Sequence, residues 1–225
     1  MIKGTRTGMW MLGLLGIGVL GFACREQPEP EAAPAAEPAT AEEVLFEENF
    51  EGELDEGWTW LRENPDAWRL SDGALEIRLE TGNARTVKNA LVRPAPDRSE
   101  GRYAIDVTVT MLSDPTQQYE QAGITWYTDG EPVFKFVKEL IDGELCVFPP
   151  KQPMEAAKVH LRIVVDGEQV TTQYRPEAEG EFMTAGQGKL PPAGDDQVSI
   201  QGYHGPADAE HWVRFEDFRI VRLED

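Results

Sequence analysis

Alternation of apolar and polar residues runs through most of the chain after residue 43, and a period of two is the signature of half-buried β-strands. Leu75, Ile77 and Leu79 alternate with Glu76, Arg78 and Glu80. Tyr103, Ile105, Val107 and Val109 alternate with Arg102, Asp106, Thr108 and Thr110. Val159, Leu161, Ile163 and Val165 alternate with Lys158, His160 and Arg162, with Val164 as the exception. No helical period persists beyond a turn or two. Asp-Gly recurs at Asp72-Gly73, Asp129-Gly130, Asp142-Gly143 and Asp166-Gly167, each between strand-like runs. That dipeptide supplies the positive φ angles of tight hairpins. About a dozen short strands joined by hairpins, without crossover helices, predict an all-β fold, an antiparallel two-sheet sandwich. The last strand carries a phase break: Val213 and Phe215 are followed by Phe218 and Ile220. An extra residue at Glu216-Asp217, a β-bulge, would keep all four in one core.

The first 23 residues read as an address. Lys3 and Arg6 precede an apolar run from Met9 to Phe22, which is shorter than the roughly 20 residues a spanning helix needs. Leu20-Gly21-Phe22-Ala23-Cys24 resembles the lipobox of bacterial lipoproteins, although Gly21 stands where that family usually has Leu. The resemblance implies cleavage before Cys24 and lipidation of its thiol. Arg25 to Glu43 holds four Pro, six Ala and six Glu, too little apolar surface to offset the entropy of ordering. The expected organisation is a lipoprotein signal peptide over 1–23, a disordered Pro/Ala/Glu linker over 24–43 and one sandwich domain over 44–225. The expected location is the bacterial cell envelope, facing the periplasm or the exterior and held to the membrane through the N-terminal lipid.

Charge and cysteine content narrow the partners. The 225 residues carry 41 Asp plus Glu against 21 Lys plus Arg, which excludes a nucleic-acid binder built on clustered basic side chains. From Val44 onward the balance is still 35 acidic to 18 basic residues, so a basic surface does not hold the protein at a membrane. Two cysteines cannot staple a chain of this length. Cys146 sits in the apolar run Leu145-Cys146-Val147-Phe148 and reads as a buried, inert thiol.

Phe46-Glu-Glu-Asn-Phe50 and Phe215-Glu-Asp-Phe218 together resemble the paired first and last strands of concanavalin A-like lectin/glucanase sandwiches. Trp60-Leu-Arg-Glu-Asn-Pro-Asp-Ala-Trp68, Gly73-Ala-Leu-Glu-Ile77, Tyr119-Glu-Gln-Ala-Gly123, and Lys135 with Glu139 and Asp142-Gly143 are similar to two members of that group. These are the C-terminal sandwich of β-xylosidases and the uncharacterised family typified by regulation-of-enolase proteins. The resemblance covers 44–225, and the Tyr-Glu-Gln-Ala-Gly block with the Lys and Glu is its most specific part. It implies a jelly-roll sandwich, often a sugar-binding or accessory module, without assigning an activity.

If β-strands 121–127 and 133–140 lie in the concave sheet, as in those sandwiches, then Gln121, Tyr127, Lys135 and Glu139 line a groove. Trp58, Trp60, Arg62, Glu63 and Asn64 would wall it, giving an aromatic plate and polar groups for a glycan. The competing reading makes Lys135 and Glu139 an exposed ion pair worth at most about 1 kcal/mol, and makes the tryptophans core packing. The loops Lys151–Ala157 and Glu177–Asp196 are candidates to cover the groove. Because first and last strands are neighbours in the resembling fold, Glu48 or Glu51 could meet Asp217 at a structural Ca²⁺ site.

Catalytic signatures are scarce. Glu53-Leu54-Asp55-Glu56 lacks the spacing that places three carboxylates on one face of a strand. His160, His204 and His211 lack zinc-ligand spacing, and no serine stands in a nucleophile-elbow pattern. The leading expectation is a lipid-anchored, extracytoplasmic, noncatalytic module that binds a glycan or sugar-like ligand. A glycoside hydrolase or lyase on the same scaffold and an envelope protein-interaction module are the alternatives.

Overall fold

Each alternating run forms a strand in the computed structural model, which describes residues 42–176 and 178–224. The signal segment, Cys24 and the linker up to residue 41 lie outside the described residues. In chain order the first strands are β1 (Glu43–Glu48), β2 (Thr59–Leu61), β3 (Trp68–Leu70), β4 (Leu75–Arg78) and β5 (Ala90–Pro94). Next come β6 (Tyr103–Met111), β7 (Gln121–Thr128), β8 (Glu131–Ile141), β9 (Glu144–Phe148) and β10 (Gln152–Pro153). The last are β11 (Lys158–Asp166), β12 (Gln169–Arg175), β13 (Met183–Lys189), β14 (Asp196–Tyr203) and β15 (Trp212–Arg222).

They form two antiparallel sheets packed as a sandwich. The first sheet runs β13-β12-β11-β6-β15-β4-β3, with β1 also paired to β15; the second runs β10-β9-β8-β7-β14-β5-β2. Asp129-Gly130 and Asp142-Gly143 close the β7–β8 and β8–β9 hairpins with positive φ at both residues, 54° and 77° in one and 55° and 78° in the other. This is the twist-matched two-residue turn that the dipeptide predicts.

β15 organises the first sheet. β6 pairs along it from Val213 to Arg222, while its other edge is shared by β4, at Trp212–Phe215, and β1, at Phe218–Arg222. The register shifts between Glu216 and Arg219, and Asp217 takes a φ of 53°. This is the expected bulge, and through it Val213, Phe215, Phe218 and Ile220 all enter the core. There they meet Trp126, Phe136, Ile124 and Leu91 of the second sheet, each such side chain contributing about 1.5–3 kcal/mol by burial.

A buried amine faces this core. Lys138 on β8 is fully buried and donates from Nζ to the carbonyls of Met154, at 2.9 Å, and Ala156. It thereby ties the 154–156 segment to the sandwich. Burial lowers its pKa from 10.5 to about 8, and a neutral amine still carries the two hydrogens those carbonyls accept. The thiol of Cys146, across the ladder from Glu139, is buried on the other face of the sheet, donating to the Glu139 carbonyl at 3.3 Å, and burial raises its pKa.

Between pH 8 and 10.5 the unfolded chain keeps a proton on Lys138 that the folded chain has released, so folding stability rises with pH across that window. The expected gain is up to about 3 kcal/mol. Urea denaturation of the parent and of Lys138→Met at pH 7.5 and 10.5 checks it: the parent should gain on the variant at the higher pH, and parallel curves would remove the assignment.

Candidate functional site

The outward face of the second sheet carries a closed ring of polar side chains. Alternation sends Gln121, Thr125 and Tyr127 of β7 to the face shared with Lys135 and Glu139 of β8. Gln121 is paired across the ladder with Glu139, and Thr125 with Lys135. Lys135 lies along the sheet and donates from Nζ to Gln121 Oε1 at 2.6 Å and to Glu139 Oε2 at 2.9 Å. Gln121 Nε2 donates to Glu139 Oε1 at 2.9 Å and to the Tyr119 carbonyl at 2.7 Å. Glu139 is 3% exposed and the Lys135 side chain 25%, so this is a desolvated, charge-assisted network and not an exposed ion pair. Two of the three ammonium hydrogens are used within it, and the third is free for another acceptor.

Aromatic residues stand at the open end of this ring. Tyr119 is 47% exposed with a φ of 68°, and its ring centroid is 6.3 Å from that of His204, which has a φ of 62°. A bulky residue in the left-handed region costs on the order of 1–2 kcal/mol, and here two face each other. Burial, reinforced by the Lys135 charge, lowers the His204 pKa against the pull of Glu139, which favours neutral imidazole at pH 7. Next to the ring is a depression of about 350 Å³ lined by Ala84, Thr125, Pro132, Phe134, Lys135, Pro149 and Tyr203, among others. Sequence reading missed Tyr119, Tyr203 and His204. The signal was present for Tyr119, which opens the Tyr-Glu-Gln-Ala-Gly block.

Residues 80–89 form a strap over the β5 and β14 side of this face. Ala84 and Val87 pack against Ala90, Val92, Tyr127 and Tyr203. Arg62 Nε donates to the Val87 carbonyl at 2.6 Å, and the Asn64 amide donates to Asn89 Oδ1 at 2.7 Å. Arg85 near the strap's tip meets Glu131 at the start of β8, at 3.0 Å. The cover therefore comes from residues 80–89, and not from the two loops expected; much of the 177–196 segment is instead the edge strand β13.

The strap reassigns several expected groove residues. Tyr127 is 1% exposed beneath it, with its hydroxyl 2.8 Å from Gln201 Oε1 and its pKa raised by burial. Asn64 Nδ2 holds the strap through both carboxylate oxygens of Glu80, at 3.1 and 3.2 Å. Glu63 accepts from Trp68 Nε1 at 3.1 Å. Trp60 is opposite Leu91, on the core side of β2, and stacks on Trp68 with centroids 4.8 Å apart. Trp58 packs on Phe218, 4.9 Å between centroids. The two tryptophans thus complete the core, and neither forms a plate in the groove.

Glu48, Glu51 and Asp217 do not converge. Glu48, 1% exposed, faces the core and accepts from the amides of Phe50 and Asp55, at 2.7 and 2.9 Å, and from Trp58 Nε1 at 3.0 Å. Asp217 points to the opposite face of the sheet, where it accepts from Thr108 Oγ1 at 3.0 Å. Glu51 is exposed. Among the described residues no group of three or more His, Cys, Asp or Glu side chains is placed to hold a metal ion.

No protein-family model and no curated protein sequence matches the chain. Solved structures do. The GH43 protein BlXynB from Bacillus licheniformis superposes with a TM-score of 0.62 at 19% identity, over 79% of this chain and 39% of that one. Xylan β-1,4-xylosidase from Bacillus halodurans gives 0.61 at 16% identity, over 87% and 41%. The CBM2 module of the evolved Dit protein of Lactobacillus casei BL23 phage J-1 gives 0.55 at 11%, over 82% and 98%. The chain spans about two fifths of the length of the two GH43 and xylosidase chains. At these identities the likeness is one of fold, a two-sheet sandwich.

Replacing Lys135 with Met leaves the buried Glu139 carboxylate with Gln121 as its one remaining donor in the ring. The expected loss is about 1–3 kcal/mol, seen as a lower urea midpoint at an unchanged slope. A midpoint equal to the parent's would mean that the ring carries no stability.

Proposed function

We propose that the chain is a lipid-anchored, extracytoplasmic, noncatalytic carbohydrate-binding module of the concanavalin A-like type, related to the accessory sandwiches of xylosidases. The observation that carries this reading is the Gln121–Lys135–Glu139 ring beside an apolar-walled depression, with Tyr119 exposed beyond the Gln121 end of the ring. Apolar walls with a few fixed polar groups are the composition of a sugar site. A preorganised ring spends little entropy on binding. The sandwich is shared with a protein described as a carbohydrate-binding module over 98% of that protein's length, and with parts of chains described as xylosidases.

The noncatalytic part rests on the carboxylates. A retaining glycosidase needs two carboxyl groups about 5 Å apart. Both oxygens of Glu139 are engaged by Lys135 and Gln121, and the described residues lining the depression are not acidic. The anchor rests on the lipobox-like Leu20–Cys24 segment and the acidic, Pro-rich stretch after it.

Purified protein is expected to be retained on an insoluble neutral polysaccharide such as xylan without releasing reducing ends, and Tyr119→Ala should weaken retention about tenfold through loss of the exposed ring. Release of product would replace this reading with an enzyme, and neither retention nor release would favour a protein partner. Separately, Cys24→Ala should move the protein from the membrane fraction to the soluble one. Continued membrane association of that variant would refute the lipid anchor.

A further inference from the structure

The turn that carries Tyr119 is built against its own conformational preference. Gln117 to Glu120 form a β-turn closed by the Glu120 amide, which donates to the Gln117 carbonyl at 3.0 Å. Tyr119 is the third residue of that turn and takes a φ of 68°, a value that turns of this kind reserve for Gly or Asn. Such an outlier persists only where its surroundings over-determine it. Here the next side chain does so. Glu120 is fully buried, and its Oε2 accepts from the amides of Thr116 and Gln117 at 3.0 and 3.2 Å. Its Oε1 lies 2.7 Å from His211 Nδ1. A carboxylate can only accept, so that ring nitrogen carries the proton.

The segment that supplies His211 also supplies a second ring. Residues 204–211 join β14 to β15, with His204 at one end and His211 at the other. Gly205 packs so closely on Leu79 that a Cβ there would collide with the Leu79 carbonyl, and the Leu79 amide donates to the His211 carbonyl at 2.8 Å. Both ends of the segment therefore rest on one residue of the sandwich. Tyr119, His204 and Tyr203 follow one another with centroids 6.3 and 5.5 Å apart. The row leads from the exposed Tyr119 ring to Tyr203, which lines the depression.

We propose that Glu120 and His211 are positioning residues, a buried carboxylate–imidazole clasp that holds Tyr119 and His204 together as one preformed aromatic strip for a glycan. The glycan part rests on the carbohydrate-binding reading above. Neither clasp residue touches the ligand. A charge-assisted hydrogen bond to a buried carboxylate is of the size needed to keep one bulky residue in the left-handed region. A ring already held there does not have to be ordered when the sugar arrives.

The full chain should be followed by NMR and titrated with a xylose hexasaccharide. Without ligand, the parent is expected to show a nuclear Overhauser contact between the rings of Tyr119 and His204. His211→Ala should lose that contact and weaken binding about tenfold, as Tyr119→Ala does. The double variant should bind no more weakly than Tyr119→Ala alone, because the two changes remove the same ring from use. His211→Asn, whose amide can donate from the position of Nδ1, should restore both contact and affinity. Should His211→Ala fail to fold, His211→Phe keeps the bulk, lacks the donor and is read in its place. A lower melting temperature with ring contact and affinity unchanged would make the pair merely structural and overturn the proposal. Losses from the two single variants that simply add would overturn it as well, and both results leave carbohydrate binding standing. A parent that does not bind the hexasaccharide would overturn the glycan part, while the ring contact in His211→Ala would still decide the clasp.

Discussion

β15 must serve two neighbours in succession along one edge while β6 runs along the other. A strictly pleated strand that included both Phe215 and Phe218 would send one of them to solvent, because residues three apart face opposite ways. The extra residue at Glu216-Asp217 removes that conflict, at the point where β4 ends its pairing and β1 begins. It lets one strand join the start of the chain, the middle and the end into a single sheet. Phe218 then anchors Trp58, whose indole donates to Glu48, and Glu48 fixes the amides of the turn leading to β2. The bulge thus reaches the second sheet through a short chain of contacts.

The candidate site obeys a different constraint. Lys135 and Glu139 on the outward face of the second sheet are largely taken from water by their own neighbours, so they must satisfy one another. Gln121, with a donor and an acceptor at one side-chain end, is the residue that can bridge an ammonium and a carboxylate at once. The ring is therefore rigid before any ligand arrives. Left-handed backbone at Tyr119 and His204 shows local strain held in place at the same end of the groove.

Long strands were legible because their period declares which face each residue takes, and the bulge was legible as a break in that period. The same alternation placed Gln121, Lys135 and Glu139 on one face. It failed at β2, where three residues are too few to carry a period, and so Trp60 could not be assigned to core or groove from its neighbours. The strap was invisible for a related reason: residues 80–89 are mostly polar and aperiodic, and their position depends on contacts with Arg62, Asn64 and Tyr127 that are remote in sequence. Glu48 read as a metal ligand because the first and last strands are neighbours in the resembling fold, which says nothing of the face its side chain takes. Here it faces the core to receive three N–H groups, a role set by the turn that follows it.

β1 and the polar groove belong to different sheets. A pull exerted on residue 42 by the preceding chain, against a partner held in the groove, is taken first by the ladder between Glu43–Glu48 and Phe218–Arg222. Force then crosses the packed layer of aromatic and aliphatic side chains before it reaches β7 and β8. Glu43 stands opposite Arg222 at the end of that ladder nearest residue 42. Any tension entering at residue 42 would thus meet the first strand's ladder before the sheet that carries the polar ring.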